Sequence, residues 1–384
     1  MKKVYLDNAA TTFPKASGVA EAISDYILNV GSNVGRGSYE NSYSAGQVVY
    51  ETREMLCDLF NFKDPLNTVF TSNITQSLNM IIRGFLKPGD HVIVSSMEHN
   101  AVLRPLVSLK NIGIEFDRVM CDIEGKLNPL DIEPLIKPNT KMLIMTHASN
   151  VCGTILPLEK VGEICKKHNI HFVIDTAQTA GVLPIDFKKL NLSALTFTGH
   201  KGLLGPQGIG GFLIDMDFAN KLSSIIEGGT GSLSESETQP NYMPDKFESG
   251  TLNIPGIYGL NASLKYLNKV GLKYIEDKEK ELCKLFIENV LSIKGAEIAG
   301  IKGIEGRTST VSINFKDLDN SEIAFLLDRE FGVMTRVGLH CAPSAHKTLN
   351  TFPSGTVRFS FGHFNTNEEV KYAIESINKT LKLL

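Results

Sequence analysis

His171-Phe172-Val173-Ile174-Asp175-Thr176-Ala177-Gln178 is a short apolar run closed by a carboxylate, and Ala194-Leu195-Thr196-Phe197-Thr198-Gly199-His200-Lys201-Gly202 is a second such run giving way to a glycine-rich loop. Each reads as a β-strand followed by a turn, and ligands gather at the carboxyl ends of strands in open α/β sheets. Taken alone, Lys201 reads as a solvated loop lysine and Asp175 as a helix N-cap. Together, 26 residues apart, they supply the two groups that pyridoxal phosphate (PLP) requires. These are an amine to anchor the cofactor covalently and an acid to hold its pyridine nitrogen protonated as an electron sink.

Working outward, short apolar runs alternate with amphipathic or polar stretches from about Val69 to Ile214. The runs are Val69-Thr71, His91-Ser95, Ile114-Val119, Lys141-His147, His171-Asp175, Ala194-Thr198 and Gly211-Ile214. Seven candidate strands with intervening helices predict an α/β fold with a mainly parallel, doubly wound sheet. One helix is well marked: Pro157 stands near its start, and Leu158, Val161, Ile164 and Cys165 form an apolar face. After about Pro255 the pattern changes to helices with scattered strands, among them Thr310-Phe315 and Thr356-Phe361. The last helix opens on a capping box, Thr366-Asn367-Glu368-Glu369, and carries Val370, Ile374, Ile377 and Leu381 on one side. Between the two regions, Glu227 to Gly256 is rich in Gly, Ser, Thr and Pro. A loop that long inside a compact protein is normally functional or disordered.

The chain has 384 residues, enough for a large core and about two domains. Its formal charge is only −3 and it has no long basic run, which argues against binding nucleic acid or anionic membranes by bulk electrostatics. Small neutral or zwitterionic substrates fit better. The start, Met1-Lys2-Lys3-Val4-Tyr5-Leu6-Asp7, has no signal-type apolar region, and no stretch approaches the roughly 18 apolar residues of a membrane span, so a cytoplasmic location is expected. The six cysteines show neither C-x-x-C pairing nor zinc-finger spacing. Five read as buried small hydrophobes, and Cys341 as the exception. His340, Cys341 and His346 lack a fourth ligand of suitable spacing, so no metal site is expected.

Six segments, taken in order, extend the pattern: Tyr5-Leu6-Asp7-Asn8-Ala9-Ala10-Thr11-Thr12, Glu98-His99-Asn100-Ala101, Ser149-Asn150-Val151, Asp175-Thr176-Ala177-Gln178, Gly199-His200-Lys201-Gly202 and Arg336-Val337-Gly338-Leu339-His340-Cys341-Ala342. The chain therefore resembles the PLP-dependent cysteine desulfurases and selenocysteine lyases of the class V aminotransferase-like group, nearest the branch whose catalytic cysteine follows an Arg-x-Gly-x-His stretch. The resemblance runs from Tyr5 to the C-terminal helix.

It implies PLP fold type I: a seven-stranded, mainly parallel sheet in a large domain over residues 14–256, and a smaller α+β domain built from residues 1–13 and 257–384. It further implies that Lys201 anchors the cofactor, that Asp175 pairs with the pyridine nitrogen, that Gln178 bonds the ring's phenolic oxygen, and that His99 stacks on the ring and shuttles protons. The phosphate would be held by the Ile74 amide, Thr75, Thr198, His200 and the partner subunit's Thr251, making a homodimer with Thr251 shared across subunits. Thr71-Ser72-Asn73-Ile74-Thr75-Gln76-Ser77 departs here from the commoner Gly-Thr-Thr-Glu pattern. Arg358 would clamp the substrate carboxylate, assisted by Asn150.

On this reading L-cysteine becomes L-alanine while Cys341 takes up the sulfur as a persulfide for a sulfur-acceptor protein. The thiolate that this requires could be favoured by nearby cations such as His340 or Arg336. Leu339 and Pro343 stand where the nearest branch usually has histidine and often glutamine. A selenocysteine lyase acting on L-selenocysteine, an aminotransferase, and a catalytically retired binding protein are the alternatives. An aminotransferase would leave the Cys341 segment without a task, and intact Lys201, Asp175 and His99 argue against retirement.

Overall fold

A computed structural model of the chain describes residues 2–34 and 37–384. Its centre is a seven-stranded sheet whose strands we label in chain order: β1 (Thr68–Thr71), β2 (His91–Ser95), β3 (Glu115–Val119), β4 (Thr140–Thr146), β5 (His171–Asp175), β6 (Ala194–Thr198) and β7 (Gly210–Ile214). Each lies within a residue of the run expected from the sequence. Across the sheet the order is β1-β7-β6-β5-β4-β2-β3, and β7 alone runs antiparallel to its neighbours.

The central strands are apolar on both faces because both faces are covered, whereas the edge strand β3 exposes Glu115 and Arg118. Val92, Val94, Met142, Ile144 and Val173 pack into one core, whereas Ile93, Leu143, Met145, Phe172 and Ile174 pack into the other. Alternate residues of a strand point to opposite faces, so two cores share each strand. The crossover from β3 to β4 passes β2 and reverses the direction in which the sheet grows. This leaves a crevice at the carboxyl ends of the central strands, where the turns after β2, β4, β5 and β6 converge.

A third core belongs to a smaller unit. An antiparallel sheet formed by Ala296–Ala299, Thr310–Phe315, Arg336–Gly338 and Thr356–Ser360 packs against the helices Leu272–Val290, Asn320–Phe331 and Asn367–Thr380. Thr366 caps the last of these with the expected capping box. The chain's start joins this unit: Val4–Tyr5 pairs in parallel with Val333–Met334, and Val4 and Leu6 are buried in the third core.

The helix Ile254–Val270, in contrast, buries Ile257, Leu260, Leu264 and Leu267 in a core of the large sheet. A division at residue 256 therefore cuts through continuous packing, and we place the passage between the units at the end of this helix. The segment from Lys221 to Asn253 has no helix or strand, yet it is anchored: Glu248 pairs with Arg53 at 2.7 Å and accepts the amide of Phe70 at 2.7 Å. Among the described residues no helix is long and apolar enough to cross a membrane.

Candidate active site

Asp175 ends β5, is 3 % exposed, and is oriented by the amide of Ala177, which donates to its Oδ1 at 2.8 Å. Burial pushes its carboxyl above the ordinary range, while that hydrogen bond and the charge of Lys201 oppose the rise. Lys201 follows β6 in a turn fixed by the amides of Leu204 and Gly205 bonding to the carbonyls of Lys201 and Gly199. Burial lowers its amine to about 8, the Asp175 charge opposing and Arg358 and Arg336 reinforcing the drop. An amine held there is available as a nucleophile near neutral pH.

His99 caps the helix Asn100–Leu109, its Nδ1 accepting from the amide of Ala101 at 3.1 Å. Burial, followed by Lys201, Arg336, Arg104 and Arg358, lowers its pKa to about 4, so the imidazole is neutral with its proton on Nε2. Gln178 lies nearby, its Nε2 donating to the carbonyl of Ala9 at 3.1 Å.

The register of β6, β7 and β1 sets Thr198 and Thr71 on either side of Gly210. A side chain at Gly210 would meet the Asn73 backbone at 2.9 Å, so glycine lets the start of the helix Ile74–Phe85 close over the sheet. Asn73 caps that helix through Gln76, and Gln76 Oε1 in turn accepts the amide of Ser72 at 2.8 Å. Gln76 is thus occupied in its own turn. The first-turn amides of Ile74 and Thr75 are of the kind a helix leaves without an internal acceptor. Beside them, Thr198 Oγ1 and His200 Nδ1 are buried without a hydrogen-bond partner. These donors at a helix start suit a phosphate.

Arg358 lies on the strand Thr356–Ser360 and is 2 % exposed. Its Nη2 donates to Asp7 Oδ1 at 2.7 Å and its Nη1 to the carbonyl of Asn150 at 3.0 Å, leaving Nε buried and unpartnered. The Asn150 side chain is committed to the carbonyl of His340 at 2.6 Å, so what Asn150 offers Arg358 is its backbone. Arg336 is exposed and directly opposite Arg358 in the sheet register. It adds a second cation beside the first.

Cys341 is exposed, whereas the other five cysteines are buried. It sits with His340 in a turn where both residues have left-handed backbone, φ 57° and 48°. Two adjacent non-glycine residues in that region are strained and persist only where their surroundings hold them. The amide of Asn100 donates to the Cys341 carbonyl at 2.8 Å, and Asn150 holds His340. The turn is therefore tied to both the His99 helix and the Arg358 partner.

The structure corrects one expectation here. Burial takes the His340 imidazole down to about 2, so it is neutral and supplies no cation to the thiol. Pro343 begins the short helix Pro343–Thr348, a position where its missing N–H costs nothing. Thr251 is exposed.

Sequence reasoning assigned no role to Asp7 or Glu98, although both lie in the motifs. Glu98 is fully buried, accepts hydrogen bonds from Ser95 Oγ and the amide of Thr146, and burial raises its carboxyl to about 8. The folded state thus holds a proton that the unfolded chain releases near 4.5. The stability associated with Glu98 is full below about pH 4 and is lost as pH rises toward about 8. Urea denaturation is expected to show a flatter decline over that window for Glu98→Gln, and a loss of about 3 kcal/mol at neutral pH for Glu98→Ala, which strands two buried donors.

The model of the aminotransferase class-V family matches residues 4–373. The chain belongs to that family. Similar members include probable cysteine desulfurases from Pyrococcus abyssi, 35% identical with 99% of this chain and 95% of that protein covered, and from Methanothermobacter thermautotrophicus, 33% identical with 98% and 94% covered. An apo cysteine desulfurase structure from Thermococcus onnurineus NA1 superposes with a TM-score of 0.93 at 33% identity, covering 100% of this chain and 95% of that one. The seven-stranded sheet is accordingly that of PLP fold type I, and PLP is the cofactor of the family. The buried acid, the depressed lysine amine and the unpartnered Thr198 and His200 atoms fit that group.

Proposed function

We infer that this class-V aminotransferase-family protein is a PLP-dependent cysteine desulfurase, converting L-cysteine to L-alanine with the sulfur held as a persulfide on Cys341. The assignment of the persulfide rests on one observation: the exposed Cys341 thiol stands on a strained turn hydrogen-bonded to Asn100 and, through His340, to Asn150, beside Arg358. The residues that would hold PLP are Lys201 as the covalent anchor, Asp175 at the pyridine nitrogen, Gln178 at the phenolic oxygen, His99 against the ring, and Ile74, Thr75, Thr198 and His200 at the phosphate. Bound PLP supplies an electron sink that makes the substrate Cα proton removable.

The chain's own groups do the rest. Arg358 takes the substrate carboxylate in a fork-to-fork pair, with the Arg336 cation close by. The Lys201 amine would take up the Cα proton. His99 is neutral with its Nδ1 held by the Ala101 amide, so it presents a donor at Nε2. The Cys341 thiolate attacks the substrate sulfur and the Cβ–S bond breaks. Sulfur stays on Cys341, and the carbon skeleton takes up protons and leaves as alanine. Exposure of Cys341 supports onward transfer to an acceptor protein, and exposure of Thr251 supports its service in a partner subunit's phosphate cup within a homodimer.

Incubation of the holoenzyme with L-cysteine should yield alanine and protein-bound persulfide in equal amounts, and borohydride reduction with peptide mapping should find the pyridoxyl group on Lys201. Alanine without persulfide, with faster turnover of L-selenocysteine, would favour a lyase. A pyridoxyl group on another lysine would end the anchor assignment.

A further inference from the structure

Asn150 is bonded at its two ends to two different functional elements. Its backbone carbonyl accepts Arg358 Nη1 at 3.0 Å, and its side-chain Nδ2 donates to the His340 carbonyl at 2.6 Å. A carbonyl oxygen can only accept, so the side-chain amide must face it through its N–H. No other donor reaches the His340 carbonyl among the described residues. That carbonyl belongs to the peptide leading into Cys341. One residue thus touches both the arginine assigned to the substrate carboxylate and the backbone that carries the thiol.

The backbone around Asn150 is firmly held. Ser149 accepts the amide of Gly153 through its carbonyl at 2.9 Å, and those of Val151 and Cys152 through Oγ at 3.2 and 3.3 Å. The Val151 carbonyl accepts Ser312 Oγ at 2.7 Å, and Ser312 stands directly opposite Arg358 in the antiparallel sheet. Asn150 follows β4 of the large sheet, yet it is fastened to the sheet that carries Arg358. The Cys341 turn, in contrast, depends on outside support, because His340 and Cys341 both have left-handed backbone. Three ties hold it in place. The buried His340 ring lies with Nε2 3.1 Å from Thr356 Oγ1, the Cys341 carbonyl accepts the Asn100 amide at 2.8 Å, and Asn150 holds the carbonyl between them. Thr356 and Arg358 are two residues apart on one strand and project from the same face.

We propose that Asn150 is a positioning residue that sets the Cys341 thiol at a fixed reach from the Arg358 clamp. Clamp and turn are hydrogen-bonded to the same residue, so the span between the substrate carboxylate and the attacking sulfur is set by one rigid turn. Asn150 acts through the His340 carbonyl, and its side chain touches neither substrate nor reacting atoms on this account. Its effect falls on the step in which Cys341 attacks the substrate sulfur. Lys201 and the groups fitted to PLP make no hydrogen bond to its side chain among the described residues, so the earlier steps do not depend on it. The catalytic half of the proposal rests on the assignment of Cys341 as the sulfur acceptor, whereas the support of the turn does not.

Asn150→Ala is the decisive variant, because it removes the donor to His340 and keeps the backbone carbonyl for Arg358. Should alanine impair folding, Asn150→Ser makes the same comparison with a side chain too short to replace the bond. The first measurement is hydrogen exchange in the apoprotein. The amides of Asn100 and Ala342, which bond to the Cys341 and Leu339 carbonyls, should exchange about tenfold faster, the scale of one neutral hydrogen bond, while the central strands keep parental rates. The second is a single turnover of the holoenzyme with L-cysteine. The early absorbance changes should keep their rate and their half-saturating cysteine concentration, while persulfide formation on Cys341 slows about a hundredfold, the cost of misplacing a reacting group by about 1 Å. Asn150→Gln carries the donor one methylene further and should recover part of that loss. Exchange that superimposes on the parent's overturns the proposal whatever the holoenzyme does. A raised half-saturating concentration with a parental persulfide step also overturns it, and places Asn150 at the substrate carboxylate instead. Should the parent make no alanine from cysteine, the desulfurase reading fails while exchange still decides whether Asn150 holds the turn.

Discussion

Cys341→Ser is expected to bind PLP with the parental spectrum and to show the early spectral changes on adding L-cysteine, while alanine and persulfide formation drop on the order of 10⁴-fold, the scale on which loss of a nucleophile acts. Two features of the site separate these outcomes. The groups fitted to the cofactor, Asp175, Thr198, His200 and Lys201, lie at the ends of β5 and β6, whereas Cys341 comes from the small unit and is exposed. Serine keeps the turn's backbone bonds to Asn100, because these use the residue 341 carbonyl and not its side chain. A hydroxyl is the weaker nucleophile and cannot hold sulfur as a persulfide. The measurement is single-turnover alanine production beside stopped-flow absorbance. Alanine released from cysteine at the parental rate would remove Cys341 from the mechanism and advance the lyase reading.

Arg358→Ala is expected to lower kcat/KM for L-cysteine by about a hundredfold to a thousandfold, equivalent to about 3–4 kcal/mol, with PLP still bound. The guanidinium is held on two sides by Asp7 and the Asn150 carbonyl, which fixes its plane before substrate arrives. Its Nε is the buried donor left over. Removing it also leaves the Asp7 carboxylate without its ion-pair partner, so the apoprotein should lose stability. Arg358→Lys separates the two effects: it returns a charge to Asp7 and restores stability, but lacks the planar fork and should recover little kcat/KM. Near-parental kcat/KM in Arg358→Ala would make the residue structural.

The sheet was legible because its central strands are covered on both faces and read as apolar runs, closed in β5 and β6 by polar residues at the carboxyl ends. The final helix was legible because its capping box is local, with donor and acceptor three residues apart. What the sequence concealed depends on distance along the chain. Asp7 meets Arg358 across 351 residues, and Gln178 meets Ala9 across 169. No spacing rule connects such pairs. The raised carboxyls of Glu98 and Glu279 and the neutral imidazole of His340 are consequences of burial, which a residue's identity does not disclose. The helix Ile254–Val270 was misplaced because its apolar face reads the same against either unit, and only packing assigns it to the large core.

The sharing of each central strand between two cores makes the sheet a partition wall. Neighbouring residues such as Ile93 and Val94, or Leu143 and Ile144, answer to different sides of it. At the β1 edge the pair Arg53–Glu248 ties the two sides together, because Met243 and Phe247 pack in one core and Val49 and Leu56 in the other. Asp175 and Thr198 stand on the rim of this wall, each following a residue locked into one core and flanked in the strand by one locked into the other or hydrogen-bonded across the sheet. Their separation is therefore set from both sides of the wall at once.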